Sequence, residues 1–583
     1  MNKLAKILIP SFLLLGASFA SADTIGQNEH FFVSSDYDVL GRAGVDATLR
    51  NISERAYFYV ADEYWNAIND LARADLLQNI YNLGQEFDNR MYPIETNFFG
   101  FEPNPGIDGD SRITIFLAPL IDNAGGYFDT TNENPKYQVI NSNQREMIFL
   151  NISAVNKQEK IFPFLAHEFQ HLISYNQKEV LQNTHDDIWL NELRSEYATT
   201  LLGYNNVYEG SHLQRRVDAI LSLPGDSLTE WKNYPADYGQ ITLFAEYLAQ
   251  NFPSEIIADT AKNNLSGLNS LAAALIKNGV KDSTFEIYRR WVISNFINDQ
   301  LSTGKFGYKN KFLSDMRVPP SRYLSGLDDD IKYVVPDSIK DWSGVWYDFY
   351  DLGLGTENIL KISFDSTSLA SFNISYLVFR LDGSYVDRLF SPTPEANAIY
   401  LSGMGTEFNR VLLMPIKKDK VAGFSSREDA VDLSTALERV SVVPDNYAVL
   451  NIDKSGDVIE IPTNPTLFPD GTLIRARGDH KVYVIRGGWR RHIIDARIFG
   501  FYKGLGFENV TEVDPDVLNK YRESDLVRYS GNQRVYSISI DGSKRWLDIG
   551  GDQFTVSGRS WDSIFEINNL ELTFYKNGGN IKK

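Results

Sequence analysis

Ile161-Phe162-Pro163-Phe164-Leu165-Ala166-His167-Glu168-Phe169-Gln170-His171-Leu172-Ile173 is the stretch on which the reading of this chain turns. Phe162, Leu165, Phe169, Leu172 and Ile173 recur at helical spacing, so the segment predicts a helix with one apolar face. His167 and His171 stand four residues apart and share another face of that helix, with Glu168 beside them. Two imidazoles so placed bind one ion together, and zinc suits them. It takes neutral imidazole and carboxylate in a tetrahedral site and leaves one position for water. Glu168 is placed to accept a proton from that water as it attacks a carbonyl. The plain alternative is a helix that happens to carry two histidines; with seven His in the chain, a chance match to this spacing with Glu in place is rare.

About twenty residues downstream, Trp189-Leu190-Asn191-Glu192-Leu193-Arg194-Ser195-Glu196 reads as a second helix with Glu192 and Glu196 on one face. Glu192 is the candidate third metal ligand, and Glu196, one turn on, the candidate acceptor for the free ring N–H of a ligand histidine. His185, Asp186 and Asp187 remain alternative ligands.

His-Glu-x-x-His followed by Asn191-Glu192 and then Glu196 resembles the gluzincin clan of zinc metallopeptidases, whose thermolysin-type arrangement takes its third ligand from the Glu of the Asn-Glu pair. The wider run Ile107-Asp108-Gly109-Asp110, Gly125-Gly126-Tyr127-Phe128 and Glu146-Met147-Ile148-Phe149-Leu150-Asn151 resembles the hyicolysin-like peptidases, over roughly residues 50 to 250. A metzincin would continue the motif to Gly and a third His, where this chain has Ser174 and Gln177. The resemblance implies a two-lobed zincin catalytic domain, Zn2+ as cofactor and hydrolysis of protein or peptide substrates by an endopeptidase. It further implies that Gly126, Tyr127 and Phe128 form an edge strand that pairs with substrate backbone. An oxyanion donor on a later helix is implied as well, for which Tyr238 is the candidate ahead of Tyr234. An ordinary sheet edge and core tyrosines are the competing readings.

Working outward, the chain reads as α+β. A strand signal at Ala56–Val60 precedes a long helical pattern from about Asn66 to Tyr92, and the turn-rich Glu102–Asp110 precedes an apolar strand at Ile113–Leu117. Asp108 and Asp110 suit a calcium ligand pair, but such a turn before a strand is ordinarily just a turn. Helical patterns run from Ile161 to about Asn298, and beyond Pro336 short alternating segments predict a β-sandwich.

The C-terminal part repeats with a period of about 54 residues. Ile474-Arg475 matches Val527-Arg528, Gly478 matches Gly531, and Lys481-Val482-Tyr483 matches Arg534-Val535-Tyr536; Tyr521 matches Tyr575. The expected division is a signal peptide over 1–22, the metallopeptidase domain over 23–333, the sandwich over 334–450 and two small β-rich tandem repeats over 451–583.

The signal reading rests on Lys3, Lys6, the apolar run Ile7 to Leu15 and the small-x-small site Ala20-Ser21-Ala22. No later stretch reaches the roughly 20 apolar residues of a transmembrane helix, so the mature chain is expected to be secreted or associated with the cell envelope. Removing Lys3 and Lys6 with no acid takes the formal charge from −19 to −21, which argues against nucleic acid as a partner. There are no cysteines. Against that acidic background Arg475, Arg477, Lys481, Arg486, Arg490, Arg491 and Arg497 form a basic cluster that would suit an anionic cell-envelope polymer, or a solvated face of the repeats. The rival function is an envelope-attached binding or adhesion protein whose zincin domain is structural or inactive; an intact Glu168 speaks against it.

Overall fold

The computed structural model describes residues 22–581, apart from 123, 300–305, 328–330, 354–358, 419–429, 445–446, 453–467, 469–470, 487–488, 503–505, 514, 520, 530–533, 550–552, 555–558 and 560. The expected signal peptide, Ala22 excepted, and Gly531 of the repeat pairing lie outside the described residues. The chain is mixed α and β, with several β-rich regions. It divides into two compact units, one running to Thr96 and over Phe101–Ile173, the other comprising Asn97–Gly100 and Ser174–Lys583.

The first unit is built on a six-stranded sheet. Its strands are β1 (Asn28–Phe32), β2 (Gly44–Ile52), β3 (Ala56–Ala61), β4 (Ile113–Ala118), β5 (Gly126–Phe128) and β6 (Met147–Asn151), in the spatial order β1-β2-β3-β4-β6-β5. The pairs β3/β4 and β4/β6 are parallel, and these three strands are buried along their whole length, which is why they read as unbroken apolar runs. One face carries an aromatic core in which Phe31 meets Tyr59 and Phe116, and Tyr127 stacks on Phe149 at 4.3 Å. Tyr127 thereby anchors the edge strand β5, whose register pairs Gly126 with Leu150 and Phe128 with Ile148.

Four helices belong with this sheet: α1 (Asp62–Ala67), α2 (Asp70–Glu86), α3 (Tyr92–Phe99) and α4 (Gln158–Ser174). The helical pattern over 66–92 is thus broken rather than continuous. Ile68 is extended, Asn69 caps α2 by accepting from Ala72 N, and a π turn at Phe87–Met91 separates α2 from α3. On α2, Gly84 allows close contact: a Cβ there would lie 3.2 Å from the Phe58 ring. Helix α4 follows β6 through the 3-10 turn Ile152–Ala154, and its apolar stripe is buried at Leu165, Phe169, Leu172 and Ile173, with Phe162 only partly covered. Phe169 packs against Phe87 and Tyr92 at 4.9 and 5.6 Å.

The second unit begins with helices α5 (Ile188–Leu201), α6 (His212–Ser222), α7 (Pro235–Asn251), α8 (Glu255–Ala261), α9 (Gly267–Lys277) and α10 (Thr284–Ile297). Helix α7 is buried along most of its length and packs against both α5 and α6. Two five-stranded sheets follow, one in the order β16 (Val449–Asn451), β13 (Ala398–Ser402), β10 (Ile359–Asp365), β15 (Val431–Val440), β8 (Tyr333–Ile339), the other β12 (Tyr385–Phe390), β11 (Phe372–Arg380), β14 (Phe408–Lys417), β9 (Tyr347–Tyr350), β7 (Arg322–Ser325). Residues of both, among them Ile362, Phe364, Ile374, Leu401 and Leu413, form one hydrophobic cluster. Helix α10 is fastened to these sheets by Arg289, which holds Asp387 and Ser375, and by Trp346 Nε1, which donates to Val292 O at 3.0 Å.

The last two sheets have matching orders, β20 (Val510–Val513), β17 (Leu473–Ala476), β18 (Tyr483–Arg486), β19 (Trp489–His492), β21 (Arg522–Glu523), and β25 (Phe565–Ile567), β22 (Leu526–Tyr529), β23 (Val535–Ile538), β24 (Ser543–Leu547), β26 (Lys576–Ile581). In each, the second and third strands of the order pair antiparallel and the outer pairs are parallel. Leu473, Val484, Val527 and Phe565 share one core between them. Among the described residues no helix is long and apolar enough to cross a membrane.

Candidate metal centre

Helical geometry alone puts His167 and His171 one turn apart on α4, and their rings are turned so that Nε2 faces Nε2 at 3.2 Å. The ring planes are 77° apart. Two nitrogens bound to one tetrahedral zinc at about 2.0–2.1 Å would be roughly 3.3 Å apart, so the spacing is that of a chelating pair. Ligand atoms of His167, His171 and Glu192 all lie within 4.8 Å of one another, and each of these side chains is half-buried. Two neutral nitrogens and one carboxylate oxygen are a donor set that zinc accepts, so these residues fit the ion.

Glu168 is 8% exposed and lies under the edge strand. A Cβ built on Gly126 would come 3.1 Å from Glu168 Cγ and 2.7 Å from Phe149 O; one on Gly125 would strike the Phe164 ring at 2.5 Å. The two glycines are therefore what lets β5 run this close to α4. Asn151 fixes the approach to the strand, its Nδ2 donating to Ala124 O at 2.9 Å while its backbone N donates to Gly125 O.

One residue near this helix has no sequence signature. Glu95, on α3, is completely buried, and neither carboxylate oxygen has a hydrogen-bond partner. Burial drives its carboxyl well above the usual range, and the opposing influence is the charge of His167.

On the second unit, Glu192 and Glu196 follow each other by one turn of α5. Glu196 is fully buried and clamped: Arg216 donates Nε and Nη2 to its two oxygens at 2.9 and 2.8 Å, His212 Nε2 lies at 2.7 Å and Thr242 Oγ1 donates at 2.8 Å. Burial opposes the Arg216 charge, but Glu196, then Tyr238 and Glu192, hold its guanidinium above its ordinary value. The same guanidinium lies 4.3 Å over the Tyr238 ring, whose hydroxyl donates to Asn233 Oδ1 at 2.9 Å. Glu192, Glu196, Tyr238 and Arg216 thus form one neighbourhood; Tyr234, at the N-cap of α7, is largely exposed. Arg216 sits in Leu213-Gln214-Arg215-Arg216, which carries no motif.

Two of the alternative ligands, Asp186 and His185, are engaged elsewhere. Asp186 accepts from Arg194 Nη1 at 2.7 Å and from Gly267 N at 2.9 Å, His185 pairs with Glu179 at 2.9 Å, and Asp187 is the N-cap residue of α5. Much of the basic cluster is also paired. Arg475 meets Glu512, Arg491 meets the buried Glu571, Arg497 meets Asp495, and Arg486 and Arg490 donate to the Ile564 and Leu518 carbonyls.

No family model matches the chain. A neutral metalloprotease of Staphylococcus hyicus, ShpI, is 27% identical over 227 residues, covering 35% of this chain and 47% of the relative. The chain therefore spans about half the length of the curated relative it matches. Among solved structures, the M60 catalytic domain of Clostridium perfringens ZmpC, in complex with the sialyl T antigen, aligns at 11% identity over 64% of this chain and 69% of that chain, with a TM-score of 0.22. A mitogen derived from Yersinia pseudotuberculosis aligns at 8% identity over 20% of this chain and 92% of that chain, with a TM-score of 0.15. Structural likenesses this slight carry no argument.

Proposed function

We propose that this chain is a secreted zinc endopeptidase of the gluzincin kind, most like the hyicolysin-like peptidases, with His167, His171 and Glu192 as metal ligands and Glu168 as general base. The observation that carries the proposal is the facing Nε2 pair of one helix, 3.2 Å apart, grouped with Glu192 and flanked by a buried glutamate. The identity to a neutral metalloprotease over 227 residues supports it. A zinc ion held by His167, His171 and Glu192 would supply a Lewis acid that polarises the scissile carbonyl and acidifies the attacking water.

The chain's own groups do the rest. Glu168 takes the proton of the attacking water and passes it to the amine nitrogen as the C–O bond forms and the C–N bond breaks, so that one water is consumed for each peptide bond. Tyr238, backed by the Arg216 cation over its ring, donates to the oxygen that becomes negative. The outer edge of β5 pairs with an extended substrate, and because main-chain pairing needs no chain end, cleavage is internal. Glu95 acts on His167 through the electrostatic coupling of the two groups, while Glu196, through Arg216, His212 and Thr242, holds α5 in the position that presents Glu192.

The proposed division is a signal peptide over 1–22, a catalytic domain over 23–333, a sandwich over 334–450 and two repeated modules over 451–583. The modules are the proposed contact to an anionic envelope polymer, through exposed Arg477, Lys481 and Arg497. The test is metal analysis and casein hydrolysis by the purified chain. One zinc per chain, with hydrolysis abolished by a chelator and restored by zinc, is expected. A folded chain that binds zinc and cleaves nothing would instead make it a binding protein with a retired site.

A further inference from the structure

Tyr238 lies in the first turn of α7, and the loop that leads into that turn is pinned to the segment joining β8 and β9 of the sandwich. Ser227 Oγ donates to Asp341 O at 2.6 Å and Leu228 N to Trp342 O at 2.8 Å, while Ser227 and Ser343 form an isolated antiparallel bridge. Ser227, Asp341 and Ser343 are all buried. The sandwich side of this seam is itself anchored. Lys417, the last residue of β14, donates from Nζ to Asp341 Oδ1 at 2.6 Å, and its carbonyl accepts from Trp342 N at 2.9 Å.

Charge crosses the same seam. Lys340 donates from Nζ to Asp226 Oδ1 at 3.1 Å and also to Glu230. Burial opposes its charge, but the hydrogen bonds to Glu230 and Asp226 hold the ammonium above its usual range, so it stays a cation. Asp226 in turn meets Asp237, the third residue of α7, and both are buried. Asp237 Oδ2 accepts from Tyr234 N at 2.7 Å and from Lys232 N at 3.1 Å, which closes the start of the helix. Burial first, with the Asp226 charge and the hydrogen bond between the two carboxyls adding to it, raises the Asp237 carboxyl against the pull of those amides. Tyr238 is the next residue. Its ring meets Trp231, the neighbour of Glu230, edge to face at 4.9 Å, and the Arg216 guanidinium at 4.3 Å.

We propose that Lys340 is a positioning residue for the hydrolysis: from the sandwich it fixes the first turn of α7, through Asp226 and Asp237 and through Glu230 and Trp231, so that Tyr238 meets the oxygen that becomes negative. The assignment rests on Tyr238 as oxyanion donor, and it makes the sandwich part of the working catalytic unit, which then extends past residue 333 to include residues 340–343 and β14. Without Lys340, Asp226 and Asp237 share a buried site that has lost its cation, and two like charges so close push apart. The turn that carries Tyr238 moves with them, while His167, His171 and Glu192 keep their places.

The experiment compares the zinc-loaded full chain with Lys340→Met, Lys340→Arg, Tyr238→Phe and the double variant Lys340→Met/Tyr238→Phe. It reads kcat and KM on a peptide that the parent cleaves, zinc content, and hydrogen exchange at backbone amides 232–238. Tyr238→Phe should lower kcat by about 10²-fold, as loss of one oxyanion donor does. Lys340→Met should lower kcat by about tenfold with KM and zinc unchanged, and Lys340→Arg should restore most of it. In the Tyr238→Phe background the same change should cost no more than about twofold, because the donor it positions is already gone. The Lys232 and Tyr234 amides should exchange roughly tenfold faster in Lys340→Met. If that variant fails to fold, Ser227→Ala, which cuts the hydrogen bond to Asp341 O, should give the same fall in kcat at constant KM.

A Tyr238→Phe variant that loses kcat beside a Lys340→Met variant that keeps it overturns the role of Lys340 and leaves the oxyanion donor in place. Unchanged kcat in Tyr238→Phe removes the oxyanion reading, and the role of Lys340 with it. A Lys340→Met loss that falls on KM, or that is as large in the double variant as alone, marks a merely structural residue and overturns the proposal. Unchanged exchange at Lys232 and Tyr234 overturns it whatever the parent hydrolyses.

Discussion

His167 and His171 turn Nε2 to Nε2 across 3.2 Å on one face of α4, with Glu168 buried between them in sequence beneath the edge strand. A neutral imidazole pair gains at most one hydrogen bond from that arrangement, whereas a shared ion satisfies both lone pairs.

Glu192→Ala removes one of three protein ligands and should abolish both tight zinc binding and hydrolysis. Glu196→Ala should act differently, because it strands the Arg216 guanidinium. Breaking a buried pair of this kind costs about 3–5 kcal/mol, so the expected signature is a lowered melting temperature with a weakened but present metal. Zinc dissociation and melting measured on both variants separate the roles. If Glu196→Ala is the one that loses metal outright, the two must be exchanged.

Glu95→Gln tests the buried carboxylate that faces His167. The amide keeps the volume and removes the titratable proton that couples the group to His167. Zinc should dissociate about 10–100-fold faster, with the fold intact. Zinc retention equal to the parent would leave Glu95 without a part in the ligand's hold on the metal.

Gly126→Ala places a methyl 2.7 Å from Phe149 O and 3.1 Å from Glu168 Cγ, so β5 must shift. A misplacement of about 1 Å near the reacting groups costs up to roughly 10²-fold in rate, and kcat/KM on a protein substrate should fall by at least tenfold. Zinc content should not change. Unaltered kcat/KM would remove β5 from the substrate site.

His212 supplies a pH dependence with a definite sign. Burial first, against the pull of Glu196, lowers its pKa below the ordinary 6.5. A histidine held neutral in the fold contributes stability above its unfolded pKa, and that contribution is lost as pH falls through the folded value. Melting temperature should therefore drop between pH 7 and pH 5, and His212→Gln should flatten part of the drop. An equal drop in the variant would assign it to other groups.

The metal helix was legible because two periodicities coincide in it: an apolar stripe at three and four, and two histidines at four. The edge strand at Gly126–Phe128 was legible through the resemblance, whereas its antiparallel pairing with the strand before α4 was not. Nor were the breaks inside the 66–92 pattern. Ile68 leaves the helix without any Gly or Pro to mark it, and the π turn at Phe87–Met91 preserves the apolar content while shifting its phase. Glu95 and Arg216 were invisible to pattern reading because their importance lies in what tertiary contact brings to them. The ion pairs inside the basic cluster were not legible for a related reason: Arg475 and Glu512 are 37 residues apart and become neighbours only when β17 and β20 pair in parallel.

The most direct test of the central claim is the Glu168→Gln variant, assayed together for zinc stoichiometry and casein hydrolysis. Gln preserves the shape beside α4 and removes the base, so one zinc per chain should remain while turnover falls by about 10²–10⁴-fold. Zinc lost along with activity, or hydrolysis retained with zinc in place, would contradict the assignment of Glu168 as the group that moves the proton.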